Sequence, residues 1–340
     1  MVPMHLVLAV PRLFDIARAT DADVPRLPAL ARLIAADGAP AREDDGIGAA
    51  LAPDYGVARQ TDWPMAPLRL AAQGVDPGDA YWLAADPVTL IAGRDDAQVG
   101  AAVRDLDAIE AGSLIATLNA HFAGDGLHFV APRPDAWFVR APGMPALATR
   151  PLDAAHGRSL RTQMSTGADA KTWWRWQEEI QMLLFAHDVT AARERNGHAS
   201  ANGLWFSTGG TRPARPTPPP SIATFAGDDA VQALAAHIGA AARPLPADLD
   251  AALAQATGAA TVVVAFAAPA DIAVIDRAFA APAVAALARG RMERVTVITD
   301  DRGSAIQWNA GRPRWTTRIA HRFRHPGIAA LLAEAAGRET

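Results

Sequence analysis

Residues 261–267 read Thr-Val-Val-Val-Ala-Phe-Ala, a continuous apolar run rich in valine. Runs of this kind are typical of parallel strands that are buried on both faces. A helical pattern follows over residues 272–289, and a second strand pattern follows over 295–299. The turn 300–303, Asp-Asp-Arg-Gly, then leads into an alternating strand over 304–308. This β-α-β order with a following antiparallel strand predicts a fold of the α/β class.

The distribution of tryptophan and proline predicts two domains. Seven of the nine tryptophans lie between residues 63 and 205, which indicates a middle domain with its own core. Residues 212–220 contain five prolines, which donate no ladder hydrogen bonds, so this segment is the predicted linker. Because residues 5–10 also have the pattern of a buried strand, we expect both ends of the chain to build one sheet. The predicted boundaries are a core of residues 1–60 plus 217–340, an inserted α+β domain of residues 61–211, and the linker 212–220.

Composition excludes several classes of function. The 340 residues include 32 basic and 36 acidic side chains, and a net charge of −4 argues against a polybasic nucleic-acid binder. The absence of cysteine excludes disulfides, thiolate catalysis and cysteine-ligated zinc or iron–sulfur clusters. Lys171 is the only lysine, so a Schiff base or a Walker-type lysine would have to be this residue. The apolar run at residues 6–10 is too short to span a bilayer and meets Pro11 at once, so we expect a cytoplasmic protein without a membrane partner.

The segment from Asn202 to Arg212 is the candidate ligand-binding site. A helix is expected over residues 171–194, and a short strand over 202–206 is expected to lead into a glycine-rich loop over 207–211. Successive N–H groups in such a loop can form an anion-binding concavity, and Arg212 can add a bidentate contact to a small anion or phosphoester. The alternative is a tight turn before the linker. The candidate ligand-binding residues are Asn202, Trp205, Ser207, Thr208, Gly209, Gly210 and Arg212.

Two other groups of residues are weaker candidates. Asp300 and Asp301 follow a strand directly, where ligands bind in open α/β sheets, but Asp-Asp-Arg-Gly is also good hairpin chemistry. His321 and His325 have the spacing of a metal-binding helix, but two arginines lie between them and no carboxylate is adjacent. The chain has no G-x-S-x-G, G-x-G-x-x-G or G-K-[ST] motif.

Three stretches together resemble archaeal-type cofactor-independent phosphoglycerate mutases: Asp76–Leu90 (DPGDAYWLAADPVTL), the helix Glu110–Phe122 with its Leu118-Asn119 pair, and Asn202–Phe206 with Gly209-Gly210. The resemblance is closer to bacterial proteins of a phosphoglycerate mutase-like, Rpf-type regulatory branch. The stretches that match this branch are Trp82–Leu90 (WLAADPVTL), Glu179–His187 (EIQMLLFAH), Asn202–Gly210 (NGLWFSTGG) and His325–Leu332 (HPGIAALL). The resemblance implies an alkaline-phosphatase-like α/β core with an inserted substrate-type domain.

The departures from this family concern its two divalent metal ions. The resemblance implies ligands from an N-terminal Asp-Gly-x-x-Asp and from an Asp-His pair after a strand. Here the first strand continues into Val10-Pro11-Arg12, and Asp301-Arg302 stands where the Asp-His pair is expected. Arginine has no lone pair to donate to a metal. No serine or threonine follows the first strand before Thr20, so the nucleophile is also missing.

Two hypotheses follow. The first is a phosphoglycerate mutase-like protein that has lost the two-metal site, has no cofactor, and acts in ligand binding or regulation. The second is an active metal-dependent phosphomutase or phosphatase whose metal ligands are rebuilt from Asp15, Asp86, Asp271 and Asp301. We favour the first, with Asp301 as a weak candidate metal ligand. A protein partner and the oligomeric state stay open.

Overall fold

The computed structural model describes residues 4–18, 26–36, 39–93, 96–268, 270–312 and 327–337. Within these residues there are eleven strands: β1 (His5–Ala9), β2 (Ala41–Glu43), β3 (Trp82–Ala92), β4 (Ala97–Ala102), β5 (His128–Arg133), β6 (Ala136–Arg140), β7 (Gly203–Gly210), β8 (Ile222–Ala226), β9 (Thr261–Ala265), β10 (Arg294–Asp301) and β11 (Ser304–Gly311).

The α-helices of the described residues are α1 (Phe14–Arg18), α2 (Pro28–Ala35), α3 (Gly46–Leu51), α4 (Met65–Ala72), α5 (Ala108–His121), α6 (Leu152–Ala155), α7 (Leu160–Gln163), α8 (Ala170–Phe185), α9 (Asp188–Arg195), α10 (Asp229–His237), α11 (Leu249–Gln255), α12 (Ile272–Ile275), α13 (Ala281–Ala288) and α14 (Ile328–Gly337). A π turn, Asp276–Ala280, joins α12 to α13. None of these helices is long and apolar enough to cross a bilayer.

The chain divides into two compact units, and the α/β class predicted from the sequence is confirmed. The core unit comprises residues 1–56 and 215–340, and the inserted unit comprises residues 57–214. The second boundary lies within the proline-rich segment 212–220, in which no residue belongs to a helix or strand.

The core unit contains a six-stranded sheet in the order β2-β11-β10-β1-β9-β8. β1 pairs in parallel with both β10 and β9, and Val7 lies opposite Val263 and Thr296. β11 and β2 complete one side of the sheet as antiparallel strands. The apolar run at 261–267 thus contains a central parallel strand, and Val262 and Val264 are fully buried. The expected β-α-β order with an antiparallel edge is present.

Asp276, in the π turn, stabilises the start of α2. The side chain of Leu27, at the N-cap of α2, makes no capping hydrogen bond. Instead Asp276 Oδ1 accepts hydrogen bonds from Ala29 N at 3.0 Å and Leu30 N at 2.7 Å. Burial raises the pKa of Asp276, and the two N–H donors oppose that shift. The carboxylate therefore satisfies N–H groups that α2 cannot satisfy itself.

The inserted unit contains an antiparallel sheet in the order β4-β3-β6-β5, with β7 also paired to β3. The strand β3 continues through Asp86 and Pro87, and Pro87 lies opposite Leu204 of β7. Proline needs no N–H partner, and its carbonyl still accepts a hydrogen bond from Val103 N at 2.8 Å.

The single helix predicted over residues 171–194 is wrong. α8 ends at Phe185, and α9 begins at Asp188. Between them His187 is extended, and its Nδ1 accepts a hydrogen bond from Val189 N at 3.1 Å. The sequence pattern assigned His187 to an apolar helix face, whereas its side chain caps the second helix.

Candidate functional site

The carboxyl ends of β1 and β10 lie side by side in the core unit, since the two strands are parallel neighbours. The chain turns sharply after β1, and Arg12 adopts a left-handed backbone with φ of 59°. Arg12 N donates to Asp300 Oδ1 at 2.8 Å, and Leu13 N donates to Thr299 Oγ1 at 3.1 Å. The side chains at the end of β10 therefore hold the segment that follows β1.

Four charged residues lie close together at this edge, and we call them the Arg18 cluster: Asp15, Arg18, Asp300 and Asp301. Arg18 forms an ion pair with Asp301, whose side chain is only 9% exposed. A second nitrogen of the same guanidinium lies 3.4 Å from Asp15 Oδ1. The cation bonded to these two carboxylates is thus a side chain of the protein itself.

Arg302 occupies a hairpin turn. β10 ends at Asp301 and β11 begins at Ser304, so Arg302 and Gly303 are the two turn residues. Their φ angles are 49° and 85°, as a type I′ turn requires. The hairpin interpretation of Asp-Asp-Arg-Gly accounts for this segment.

The carboxylates of the second hypothesis have local partners or lie in different units. Asp271 Oδ1 caps α12 by accepting from Ala273 N at 3.0 Å and Val274 N at 3.1 Å. Asp86 belongs to β3 of the inserted unit, whereas Asp15, Asp271 and Asp301 belong to the core unit. Across the described ranges, no group of three His, Asp or Glu side chains is placed to hold a metal ion. His321 and His325 lie outside the described residues.

The predicted glycine-rich loop at residues 207–211 is wrong, because β7 extends to Gly210 and pairs with β3. The backbone N–H groups that were predicted to bind an anion instead donate hydrogen bonds within the protein. Thr208 N donates to Thr149 Oγ1 at 3.0 Å, and Gly209 N donates to Asp62. Thr211 N donates to Gln60 Oε1 at 3.0 Å. We call residues 207–212 the β7 end.

Two candidate ligand-binding residues at the start of β7 serve the sheet. Asn202 donates from Nδ2 to Leu90 O at 3.0 Å and accepts from Leu90 N at 2.6 Å, so its amide acts as a ladder partner for β3. Trp205 is buried and donates from Nε1 to Arg150 O at 2.8 Å. Neither side chain has this polar capacity left for a ligand.

The other candidates differ in how accessible they are. Ser207 is buried. A Cβ at position 210 would lie 2.6 Å from Pro64 Cβ, so Gly210 permits close packing. Arg212 lies at the surface, with 36% of its side chain exposed and its guanidinium 3.3 Å from Asp76. Of the predicted set, Arg212 is the residue that geometry leaves best placed to contact a ligand.

The sequence prediction missed Asp62, Tyr81 and Thr149, which converge on the β7 end. Asp62 is 4% exposed and accepts from Thr149 Oγ1 at 2.6 Å and Thr149 N at 3.1 Å. Burial raises the pKa of Asp62, while the donors from Thr149 and Gly209 lower it. These residues come from three separate segments. Tyr81 lies within the motif-like stretch Asp76–Leu90, but no local pattern places it beside Asp62 and Thr149.

No family model matches the chain, and no curated protein matches it either. Among solved structures, the following two are similar to it at low sequence identity. The cofactor-independent phosphoglycerate mutase from Thermoplasma acidophilum DSM 1728 matches at 14% identity with a TM-score of 0.43, covering 99% of this chain and 100% of that one. The PH0037 protein from Pyrococcus horikoshii matches at 14% identity with a TM-score of 0.44, covering 92% of this chain and 88% of that one.

Proposed function

We propose that this chain is a phosphoglycerate mutase-like protein with an alkaline-phosphatase-like core that has lost two-metal phosphoryl transfer. It acts instead by binding a ligand or in regulation, as its resemblance to the Rpf-type regulatory branch suggests. The observation that carries this proposal is the Arg18 cluster. One guanidinium bonds to Asp301, at the carboxyl end of β10, and to Asp15, in the helix that follows the neighbouring parallel strand β1.

The residues at this edge do not fit a pair of divalent metal ions. A metal ion needs carboxylate oxygens or neutral imidazoles as ligands, but Asp301 is already bonded to a permanent cation. Asp300 Oδ1 accepts the Arg12 N–H, which commits that oxygen to the backbone. Two-metal phosphoryl transfer requires ions that bind the phosphoryl oxygens and activate the nucleophile. We therefore derive no phosphoryl-transfer step for this chain.

The ligand that we propose is a small anion or phosphoester, with Arg212 as its main contact. The Arg212–Asp76 pair is exposed, and pairs of that kind contribute little to stability. An anion with two oxygens offers the guanidinium a bidentate partner, which is a stronger arrangement. The N–H groups of residues 208, 209 and 211 take no part, because they are bonded within the protein.

Hydrolysis of p-nitrophenyl phosphate tests this function. Purified protein supplied with Mn²⁺ or Zn²⁺ should release p-nitrophenol no faster than a metal-only control. An Asp301→Ala variant should give the same background rate. Metal-dependent hydrolysis that disappears in Asp301→Ala would instead support the active phosphatase or phosphomutase.

A further inference from the structure

The protein has only two tyrosines, both of them buried, and their hydroxyl groups are in different situations. Tyr55 Oη lies 2.7 Å from Thr224 Oγ1, so that hydroxyl has a protein partner. Tyr81 is 6% exposed, and its buried hydroxyl has no hydrogen-bond partner among the described residues. A buried hydroxyl without a partner loses its hydration and gains nothing in return.

The Tyr81 hydroxyl lies against Gly209, where the absence of a side chain leaves room for it. A Cβ at position 209 would lie 2.5 Å from Tyr81 Oη, so Gly209 is what admits the ring. The preceding residue, Thr208, also has a buried hydroxyl without a partner in the described part of the chain. Two orphan hydroxyls thus lie on or against consecutive residues of one strand.

The backbone here departs from a regular strand. Three steps along β7, from Ser207 to Gly210, face only two steps along β3, from Ala84 to Trp82. The extra residue of β7 is accommodated at Thr208. Its φ of 55° is a left-handed conformation that is unusual for a β-branched residue. Strain of this kind persists only where surrounding contacts fix it. The Asp62 and Thr149 hydrogen bonds to Gly209 N and Thr208 N supply such contacts.

We propose that the β7 end binds one water molecule, held by the hydroxyls of Tyr81 and Thr208 beside the Asp62 carboxyl. A buried water needs two to four polar partners, which these three side chains provide. Both hydroxyls can donate or accept, so they adapt to either orientation of the water.

The surroundings favour a neutral occupant over an ion. Burial and, after it, the nearby Asp62 carboxyl raise the pKa of Tyr81. The Asp62 carboxyl disfavours an anion at this position, and Arg59 acts on that carboxyl with the opposite charge. A hard cation such as Ca²⁺ needs six or more oxygen ligands, and the Asp62 oxygens already accept bonds from Thr149 and Gly209.

The Tyr81→Phe variant should change the folding equilibrium constant in opposite directions, depending on whether the hydroxyl binds a water or has no partner. If the hydroxyl holds a water, its loss should lower the folding equilibrium constant about five- to tenfold. If the hydroxyl is idle, its removal should raise the constant, because an unsatisfied group is removed. Tyr55→Phe is the matched control, since it removes a hydroxyl that has a protein partner, and it should be destabilising.

Thr208→Val and the double variant test whether both hydroxyls share the same water. Thr208→Val should lower the constant by a similar factor, and the double variant should lose less than the product of the two single effects. Fully independent effects would contradict a shared water.

A high-resolution crystal structure supplies a readout that does not depend on stability. We expect an ordered water within hydrogen-bond distance of Tyr81 Oη and Thr208 Oγ1, absent in the double variant. A dry site, together with stabilisation by Tyr81→Phe, would overturn the proposal. A melting temperature that rises in inorganic phosphate, and rises less in Tyr81→Phe, would identify an anion instead and would equally overturn it.

Discussion

The Arg18 cluster includes a buried carboxyl group, Asp301, and the β7 end contacts another, Asp62, but the partners of these two carboxyl groups differ. Asp301 is neutralised by a guanidinium, and its pairing is an interaction between charges. Asp62 is held by hydrogen bonds from a hydroxyl and from backbone N–H groups, and Arg59 acts on it as a nearby charge. At the first site the cation bonded to the carboxylates is Arg18 of the chain itself, which is why we propose that no metal ion binds there. At the second site the hydroxyls of Tyr81 and Thr208 have no partner among the described residues, so it can accept a neutral molecule.

The largest expected change in stability is at Asn202, whose hydrogen bonds with Leu90 join neutral groups. Asn202→Asp replaces the Nδ2 donor with a carboxylate oxygen facing Leu90 O. The two oxygens would repel one another, and we expect a loss of about 2–3 kcal/mol in the free energy of unfolding, measured by urea denaturation. Asn196→Asp is the control, since Asn196 is exposed, and its change should stay within about 0.5 kcal/mol. Equal effects in the two variants would mean that the amide pairing with β3 contributes little.

Arg18→Ala tests the ion pair between Arg18 and Asp301. It leaves the nearly buried Asp301 carboxylate without its cation, so we expect a loss of about 1–3 kcal/mol in urea denaturation. Arg302→Ala removes an equal charge from the neighbouring turn and should change stability by no more than about 0.5 kcal/mol. If Arg18→Ala were as mild as Arg302→Ala, the ion pair between Arg18 and Asp301 would contribute little at this edge.

His5 lies at the opposite end of β1, and its titration should make the free energy of unfolding depend on pH. Thr296 donates its hydroxyl hydrogen to Asn309, so His5 Nε2 must donate to Thr296 Oγ1 while Nδ1 accepts from Arg294. The ring is therefore neutral, and burial together with Arg294 lowers the pKa of His5 to about 4. Between pH 6.5 and 4 the unfolded chain gains a proton that the folded chain does not.

The free energy of unfolding should therefore fall as the pH is lowered from 6.5 to 4, by about 1–2 kcal/mol from His5 alone. His5→Gln keeps a neutral donor and acceptor and should remove this part of the pH dependence. Denaturation curves of both proteins at pH 7, 5.5 and 4 provide the measurement. A pH dependence that is unchanged in His5→Gln would contradict a neutral buried histidine.

The smallest expected change in stability is at Arg212, where the interest lies in binding. Arg212→Lys keeps the charge but loses the planar fork, so we expect it to weaken phosphate binding nearly as much as Arg212→Ala, by about tenfold. Both variants should keep wild-type stability within about 0.5 kcal/mol, because the pair with Asp76 is exposed. Unchanged phosphate binding in both variants, measured by calorimetry, would exclude Arg212 as the contact.

The sequence patterns predicted the sheet of the core unit better than they predicted the site. The run at 261–267 is apolar on both faces, so its burial as a parallel strand follows from composition. The hairpin after Asp301 follows in the same way from Arg302-Gly303. By contrast, Ser207–Gly210 has turn-like residues, yet it is a strand. Its glycines admit Tyr81 and Pro64, which are distant in sequence.

The same reason explains why Asp62 and Arg18 were not predicted. Each is an ordinary charged residue in its local sequence, and its partners lie 87 and 283 positions away, respectively. Asn202 lies in a recognisable motif and was predicted to bind a ligand. Its partner, Leu90, lies 112 positions earlier, so the local sequence does not show that the amide is already bonded. A local pattern identifies a side chain that can form hydrogen bonds, but the fold decides which group it contacts.

A calorimetric titration of the purified protein with Mn²⁺ tests most directly whether Arg18 has taken the place of a metal cation. We predict no saturable binding, because Asp15 and Asp301 are already bonded to that guanidinium. Asp301→Ala should give the same featureless titration as the wild-type protein. Binding of about one equivalent of Mn²⁺ that is lost in Asp301→Ala would contradict this account and restore the metal-dependent enzyme.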